Sequence, residues 1–120
     1  MKIITVEHAD QGTSYVPVPC KGTVAKVLCV FQANTVEPND TVVLARGATA
    51  VNTVTAVTTA GLVVETGVPD ATNKGLVFDP NSATAANQVI KITDTGAPGA
   101  KILLIFFDDS AYVEQAAKEA

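Results

Sequence analysis

The chain has 120 residues, a length that suits one domain with its own hydrophobic core. Twelve carboxylates against eight lysine and arginine residues give a formal net charge of −4, and the scattered basic residues exclude nucleic acid and an anionic membrane surface as partners. The longest apolar run, 102–107, is too short to cross a bilayer.

The N-terminal residues indicate a protein that is made and kept in a reducing cytoplasm. They reach charge at Lys2 and Glu7 and offer no small-residue cleavage site, so we expect no signal peptide. Cys20 and Cys29 are then expected to be free thiols. We expect Cys20 to be semi-buried and Cys29 to lie in the core.

Short strands separated by turn residues run along most of the chain. Valine and threonine dominate these segments and fit a pleated surface better than a helix. Pro17 and Pro19 cannot donate to a ladder, so the second segment belongs at a sheet edge. The three strands within 41–66 predict an antiparallel meander. The predicted strands are 3–6, 14–19, 23–31, 41–46, 49–57, 62–66, 88–93 and 101–107.

Two segments differ from this pattern. Residues 67–86 are rich in Gly, Pro, Asp, Asn, Ser and Thr, which predicts either a long functional loop or arm, or an ordinary crossover between two sheets. Residues 110–119 contain good helix formers after Asp108 and Asp109, which predicts a short C-terminal helix capped by these residues or by Ser110.

The number and spacing of the strands predict the fold class. Strands that recur every 8 to 12 residues or so, without a long helical period, indicate an all-β antiparallel sandwich or barrel. Eight strands favour a jelly-roll-like sandwich with the short helix at its end.

Two strands carry apolar residues on both faces. Residues 101–107 place Leu103, Ile105 and Phe107 on one face and apolar residues on the other, and residues 23–31 group Ala25 with Cys29 on one face. A strand with one wet face would alternate apolar and polar residues, so a second cover is required. We predict a homo-oligomer, although the terminal helix or the long loop is an alternative cover. The predicted oligomer interface is Ile102, Leu104, Phe106 and the lone arginine, Arg46. For Arg46, a solvated position beside a turn is an equally good interpretation.

Candidate chemistry is sparse. His8 is the single histidine, so any Ser-His-Asp or Cys-His arrangement must use it, and we interpret it instead as a solvated turn residue. Asp70, Asp79 and Asp94 follow turn sequences, where aspartate commonly bonds its own backbone. Residues 79–82 are rich in oxygen ligands but lack the spacing of a calcium-binding EF-hand loop. The sequence therefore predicts no enzyme, no cofactor and no metal.

A resemblance narrows the function. The stretches 53–65 and 87–93, together with the Ala/Thr/Val/Gly-rich texture of the whole chain, resemble the small decoration, or cement, proteins of tailed bacteriophages. The resemblance implies a virion protein on the outside of the phage head, made in the bacterial cytoplasm, with the major capsid protein as partner. It also implies capsid stabilisation without catalysis, and a trimer in preference to a dimer.

The capsid contact is expected in peripheral segments, namely the N-terminal residues 1–11 and the loop 67–86. Two other functions stay open: a head-fibre, tail or baseplate module for host attachment, and a cupin-like small-molecule binder, for which one histidine is too few. The predicted capsid contacts are Met1, Lys2, Asp70, Asn73, Lys74 and Asp79.

Overall fold

Two antiparallel sheets pack face to face in the computed structural model, which describes residues 1–8, 12–31, 40–56, 63–95 and 101–109. One sheet has four strands, in the order β1-β9-β3-β6, and the other has five, in the order β2-β8-β4-β5-β7. A 3-10 helix at Ala85–Asn87 precedes β8. The strands are β1 (Lys2–His8), β2 (Thr13–Pro17), β3 (Thr23–Phe31), β4 (Thr41–Arg46), β5 (Thr49–Thr55), β6 (Val63–Thr66), β7 (Val68–Pro69), β8 (Val89–Thr95) and β9 (Lys101–Asp108).

The predicted all-β sandwich of antiparallel strands is confirmed. The bounds of β3 and β4 coincide with the prediction, and β2 lies at the edge of its sheet, as its prolines indicate. The strand β7 falls inside the segment that we predicted to be a loop. The predicted helix 110–119 lies outside the described residues.

The predicted three-stranded meander is wrong in its third strand. The hairpin of β4 and β5 forms, and Gly47 at its turn has a φ of 62°, which glycine adopts without a Cβ clash. The next strand, β6, crosses to the other sheet and pairs with β3, while β7 takes the place beside β5. A strand pattern in the sequence specifies extended backbone but not the pairing partner.

The core lies between the two sheets. Phe78 and Phe107 meet there edge to face, with ring centroids 6.3 Å apart, and Cys29 is fully buried as predicted. Ala25 does not join it, because a β-bulge between Val24 and Lys26 turns Val24 inward and leaves Ala25 exposed. The remaining fully buried apolar residues include Val27, Phe31, Val42, Leu44, Val54, Ile90, Ile92, Leu103 and Ile105.

The segment 67–86 is tied to the sandwich at several points. Phe78 is buried and exchanges two backbone hydrogen bonds with Gly22, at 2.8 and 3.0 Å. The side chain of Arg46 donates to the carbonyl oxygen of Val77 at 2.9 Å. These contacts hold residues 77 and 78 against the sandwich, and whether the segment is a functional arm or a crossover stays a prediction. Within the described part of the chain, no helix is long and apolar enough to span a membrane.

Candidate functional site

The outward-facing side of the four-stranded sheet is a candidate assembly surface, which we call the outer face. Alternation along β9 sends Leu103, Ile105 and Phe107 into the core and the residues between them outward. The register of the neighbouring strands arranges the outward side chains in three rows across the sheet. The rows are Glu7–Ile102–Val30–Val64, Thr5–Leu104–Leu28–Thr66 and Ile3–Phe106–Lys26.

The middle of the outer face is apolar and its charges lie at the margins. Ile3 and Val64 are each 59% exposed, whereas the central residues of β9 are half-buried by their neighbours within the sheet. The ammonium group of Lys26 lies 5.7 Å from the ring centroid of Phe106, which is cation–π range. An apolar patch rimmed by polar residues is typical of a protein–protein contact surface.

The other residues that the sequence singled out do not lie on the outer face. Arg46 belongs to the five-stranded sheet and bonds Val77 within the chain. Asp70 accepts hydrogen bonds from the backbone of Thr72 and Asn73, and Asp79 accepts one from Asn81. The prediction that these two aspartates bond their local backbone is therefore confirmed.

The N-terminus is held by a different part of the chain. The amino group of Met1 lies 2.8 Å from Oδ1 of Asp109, while Lys2 and Lys74 are exposed. The hydrogen bond from that amino group lowers the pKa of Asp109. The predicted capsid contacts thus fall into two groups, one at the start of β1 and one in the turns after β7.

A buried polar cluster joins the two sheets, and we call it the His8 cluster. Asp94 Oδ2 accepts a hydrogen bond from Lys101 Nζ at 2.7 Å, and Asp94 Oδ1 lies 3.2 Å from His8 Nε2. His8 Nδ1 and Ser14 Oγ are 2.6 Å apart. The side chains of His8 and Asp94 are 1% exposed and that of Lys101 is 0% exposed. The cluster takes its members from β1, β2, β8 and β9, so it links both sheets.

The His8 cluster corrects two expectations. His8 is a buried residue at the end of β1 and not a solvated turn residue. Asp94 lies within β8 and turns its carboxylate into the core, where it bonds Lys101 and not its own backbone. Isolated charges are costly to bury, and pairing a carboxylate with an ammonium group offsets part of that cost.

The contacts in the cluster run from serine to histidine to aspartate, as they do in the catalytic triads of hydrolases. A catalytic serine must also present its oxygen to a substrate beside groups that stabilise an oxyanion. Here the imidazole and the carboxylate are closed to solvent, and the second carboxylate oxygen is held by Lys101. The contact between His8 Nε2 and Asp94 Oδ1 is also not aligned as a hydrogen bond. This geometry fits a structural clamp better than a nucleophile–base pair.

No group of three or more His, Cys, Asp or Glu side chains that could hold a metal ion occurs among the described residues. The oxygen-rich run 79–82 instead forms a turn, in which the backbone nitrogen of Ser82 donates to the carbonyl oxygen of Asp79 at 3.1 Å. The carboxylate of Asp79 is likewise used by the turn.

Both cysteines are free thiols in unreactive surroundings. Burial raises the pKa of Cys29 from 9.0 to about 12. Burial, followed by the negative charge of Asp109 and a long contact of 3.8 Å with its Oδ2, raises the pKa of Cys20. Since the thiolate is the nucleophile, both shifts lower reactivity at neutral pH.

We therefore expect selective alkylation of the native protein. At pH 8, iodoacetamide should label Cys20 slowly and leave Cys29 unlabelled, because a rise in pKa from 9.0 to about 12 lowers the thiolate fraction about a thousandfold. Asp109→Asn should speed the labelling of Cys20 and leave Cys29 unchanged. Mass spectrometry of the peptides reads out both sites, with protein unfolded in urea as the positive control. Equal rates at the two sites in the native protein would contradict the burial of Cys29.

Comparisons of the chain with protein-family models, with curated proteins and with solved structures find no match.

Proposed function

We propose that the chain is a non-enzymatic structural protein of a virion, which binds the outside of a phage head and stabilises the capsid by bridging its subunits. It is made in the cytoplasm of the bacterial host and acts at the head surface as a homo-oligomer. The observation that carries the proposal is the outer face, a sheet surface whose centre is formed by Ile102, Leu104 and Phe106. The capsid partner rests on the resemblance in texture to decoration proteins.

The fold in this proposal is a jelly roll. Its support is the strand order, in which β1-β9-β3-β6 faces β2-β8-β4-β5, as expected when an eight-stranded chain is wound as two Greek keys. The strand β7 is then an addition at the edge. The short helix over 110–119 belongs to the same proposal and rests on its sequence. Jelly rolls occur in viral capsid proteins, lectins and cupins, so the fold permits the function without specifying it.

Burial of the outer face against a second copy supplies the energy for the oligomer. Apolar surface removed from water contributes roughly 25 cal/mol per Å². The centre of the face carries three apolar β9 residues flanked by Leu28 and Val30. Charged residues lie only at its margins, as at the rims of protein interfaces. A solvated surface would place polar side chains at these central positions.

The capsid contact is assigned to segments outside the outer face. Lys74 is exposed in the turn that follows Asp70, and Met1 and Lys2 are exposed at the start of β1. These groups project from backbone that the sandwich holds in place. They leave the outer face available for contacts between copies.

The test combines assembly in solution with binding to heads. We expect the wild-type protein to sediment as an oligomer at micromolar concentration and to add ordered density to undecorated phage heads in cryo-electron microscopy. Leu104→Lys should dissociate the outer-face contact without unfolding the chain, since its side chain points away from the core. Thr53→Lys, on the five-stranded sheet, is the matched control and should assemble normally. A monomeric wild type that leaves heads bare would reject the proposal.

A further inference from the structure

The described part of the chain has four strands at sheet edges, and only one of them is open to pairing along its whole length. The edges are β1 and β6 in one sheet and β2 and β7 in the other. β6 has four residues, β7 has two and contains Pro69, and β2 ends in Pro17. Short edges and prolines, together with charged side chains in the middle of an edge strand, are among the devices by which proteins block the addition of a further strand.

β1 is neither short nor interrupted by proline, and its charged residues Lys2 and Glu7 lie near its two ends, so that the stretch from Ile3 to Val6 carries no charge. It has seven residues without proline or glycine, and its register with β9 is continuous from Lys2 to His8, with no bulge. Its outward residues Ile3, Thr5 and Glu7 are all exposed. The row of backbone groups on the side away from β9 is therefore a template for another strand.

We infer that β1 pairs antiparallel with β1 of a second copy, so that the two four-stranded sheets become one continuous eight-stranded sheet. A two-fold axis perpendicular to the sheet generates this contact, and the same surface is used on both copies. Antiparallel pairing brings the Lys2 end of each strand beside the Glu7 end of its partner, although the two side chains point to opposite faces of the sheet and form no direct cross-strand pair. Parallel pairing would place like charges together, which is destabilising.

The inference rests on the proposed function, because it assigns a second contact within the same oligomer. The axis of the β1 contact is perpendicular to the sheet, whereas a two-fold contact between outer faces has its axis in the plane of the sheet. The two axes together close a tetramer of two eight-stranded sheets packed face to face. The assembly is then even-numbered, in place of the trimer that the resemblance implies.

Two threonine-to-lysine substitutions separate the β1 contact from the outer face. Thr5 and Thr66 are both exposed and lie in the same row of the outer face, one on the β1 edge and one on the β6 edge. A lysine at an edge strand opposes pairing. A substitution that acts through the outer face should have the same effect at either position, whereas only Thr5→Lys touches the β1 edge.

The measurement is native mass spectrometry with sedimentation velocity on the full chain. We expect a wild-type tetramer, a halved mass for Thr5→Lys and an unchanged mass for Thr66→Lys. Leu104→Lys should also give a dimer, and Thr5→Lys combined with Leu104→Lys should give a monomer. An unchanged mass for Thr5→Lys, or halving by Thr66→Lys as well, overturns the β1 contact. A wild-type trimer overturns this inference but not the proposed function, whereas a wild-type monomer overturns this inference and, if it also leaves heads bare, the proposed function.

Discussion

Replacing Ile105 by lysine should unfold the protein, whereas the same substitution at the neighbouring Leu104 should leave the monomer folded. Ile105 is fully buried between the sheets, and Leu104 is half-buried on the outer face. A lysine at position 105 loses the transfer energy of the isoleucine and places an unpaired ammonium group in the core. We expect a loss of at least about 4 kcal/mol in the free energy of unfolding, which is a large part of the roughly 5–15 kcal/mol that stabilises a typical domain.

At position 104 the aliphatic part of a lysine can lie along Leu28 while its charge reaches water. We therefore expect a change of about 1 kcal/mol or less in the free energy of unfolding of the monomer. Urea denaturation followed by circular dichroism measures both variants. Ile105→Ala, which should cost about 2–5 kcal/mol, gives a measurable variant if the lysine variant does not fold. Equal stabilities for the two lysine variants would show that the alternation of β9 has been assigned to the wrong faces.

The alternation of β9 was predictable because it depends only on local sequence. In a strand, successive side chains point to opposite faces, so the order of residues in 101–107 is enough to divide them into two apolar sets. The burial of Leu103 and Ile105 then selects which set lies in the core. The predicted interface took Ile102, Leu104 and Phe106 as the outward set, but the pattern alone gives no physical reason for that choice, because both sets are equally apolar.

Features that depend on contacts between distant parts of the chain were not predicted. β6 pairs with β3 across sheets, and the bulge at Val24 and Lys26 reverses the expected face of Ala25. Both depend on the partner strand and not on the composition of the segment itself. The bounds of β3 and β4, by contrast, follow from runs of β-branched residues between turn signals.

The His8 cluster was missed for the same reason. His8, Asp94 and Lys101 are far apart in sequence or separated by turn residues, and Asp94 precedes a Thr-Gly pair that signals a turn. The strand pairing of β1 with β9 sets His8 opposite Lys101, and β8 brings the carboxylate between them. One signal was present, since Lys101 precedes the apolar run 102–107 and occupies the same face as Leu103.

Removing the carboxylate of the His8 cluster should lower the free energy of unfolding more than most substitutions that keep the size of the side chain. Asp94→Asn keeps the size of the side chain but removes the negative charge that lies 2.7 Å from the buried ammonium group of Lys101. Breaking a buried ion pair from one side costs about 3–5 kcal/mol. Lys101 makes a further interaction in the folded chain, so we expect the lower half of that range.

Ser14→Ala, which removes only the 2.6 Å contact with His8, should cost about 1 kcal/mol.

A double-mutant cycle distinguishes a paired cluster from two independent polar residues. Lys101→Met alone and Asp94→Leu alone should each destabilise the chain, because each leaves its former partner as a buried charge without the opposite charge of the pair. Asp94→Leu with Lys101→Met removes both charges, and replacement of a buried pair by apolar residues is often neutral or stabilising. We therefore expect the double variant to be more stable than either single variant in urea denaturation. Additive losses would show that the two side chains act separately, and the cluster would then not be the clamp that joins the two sheets.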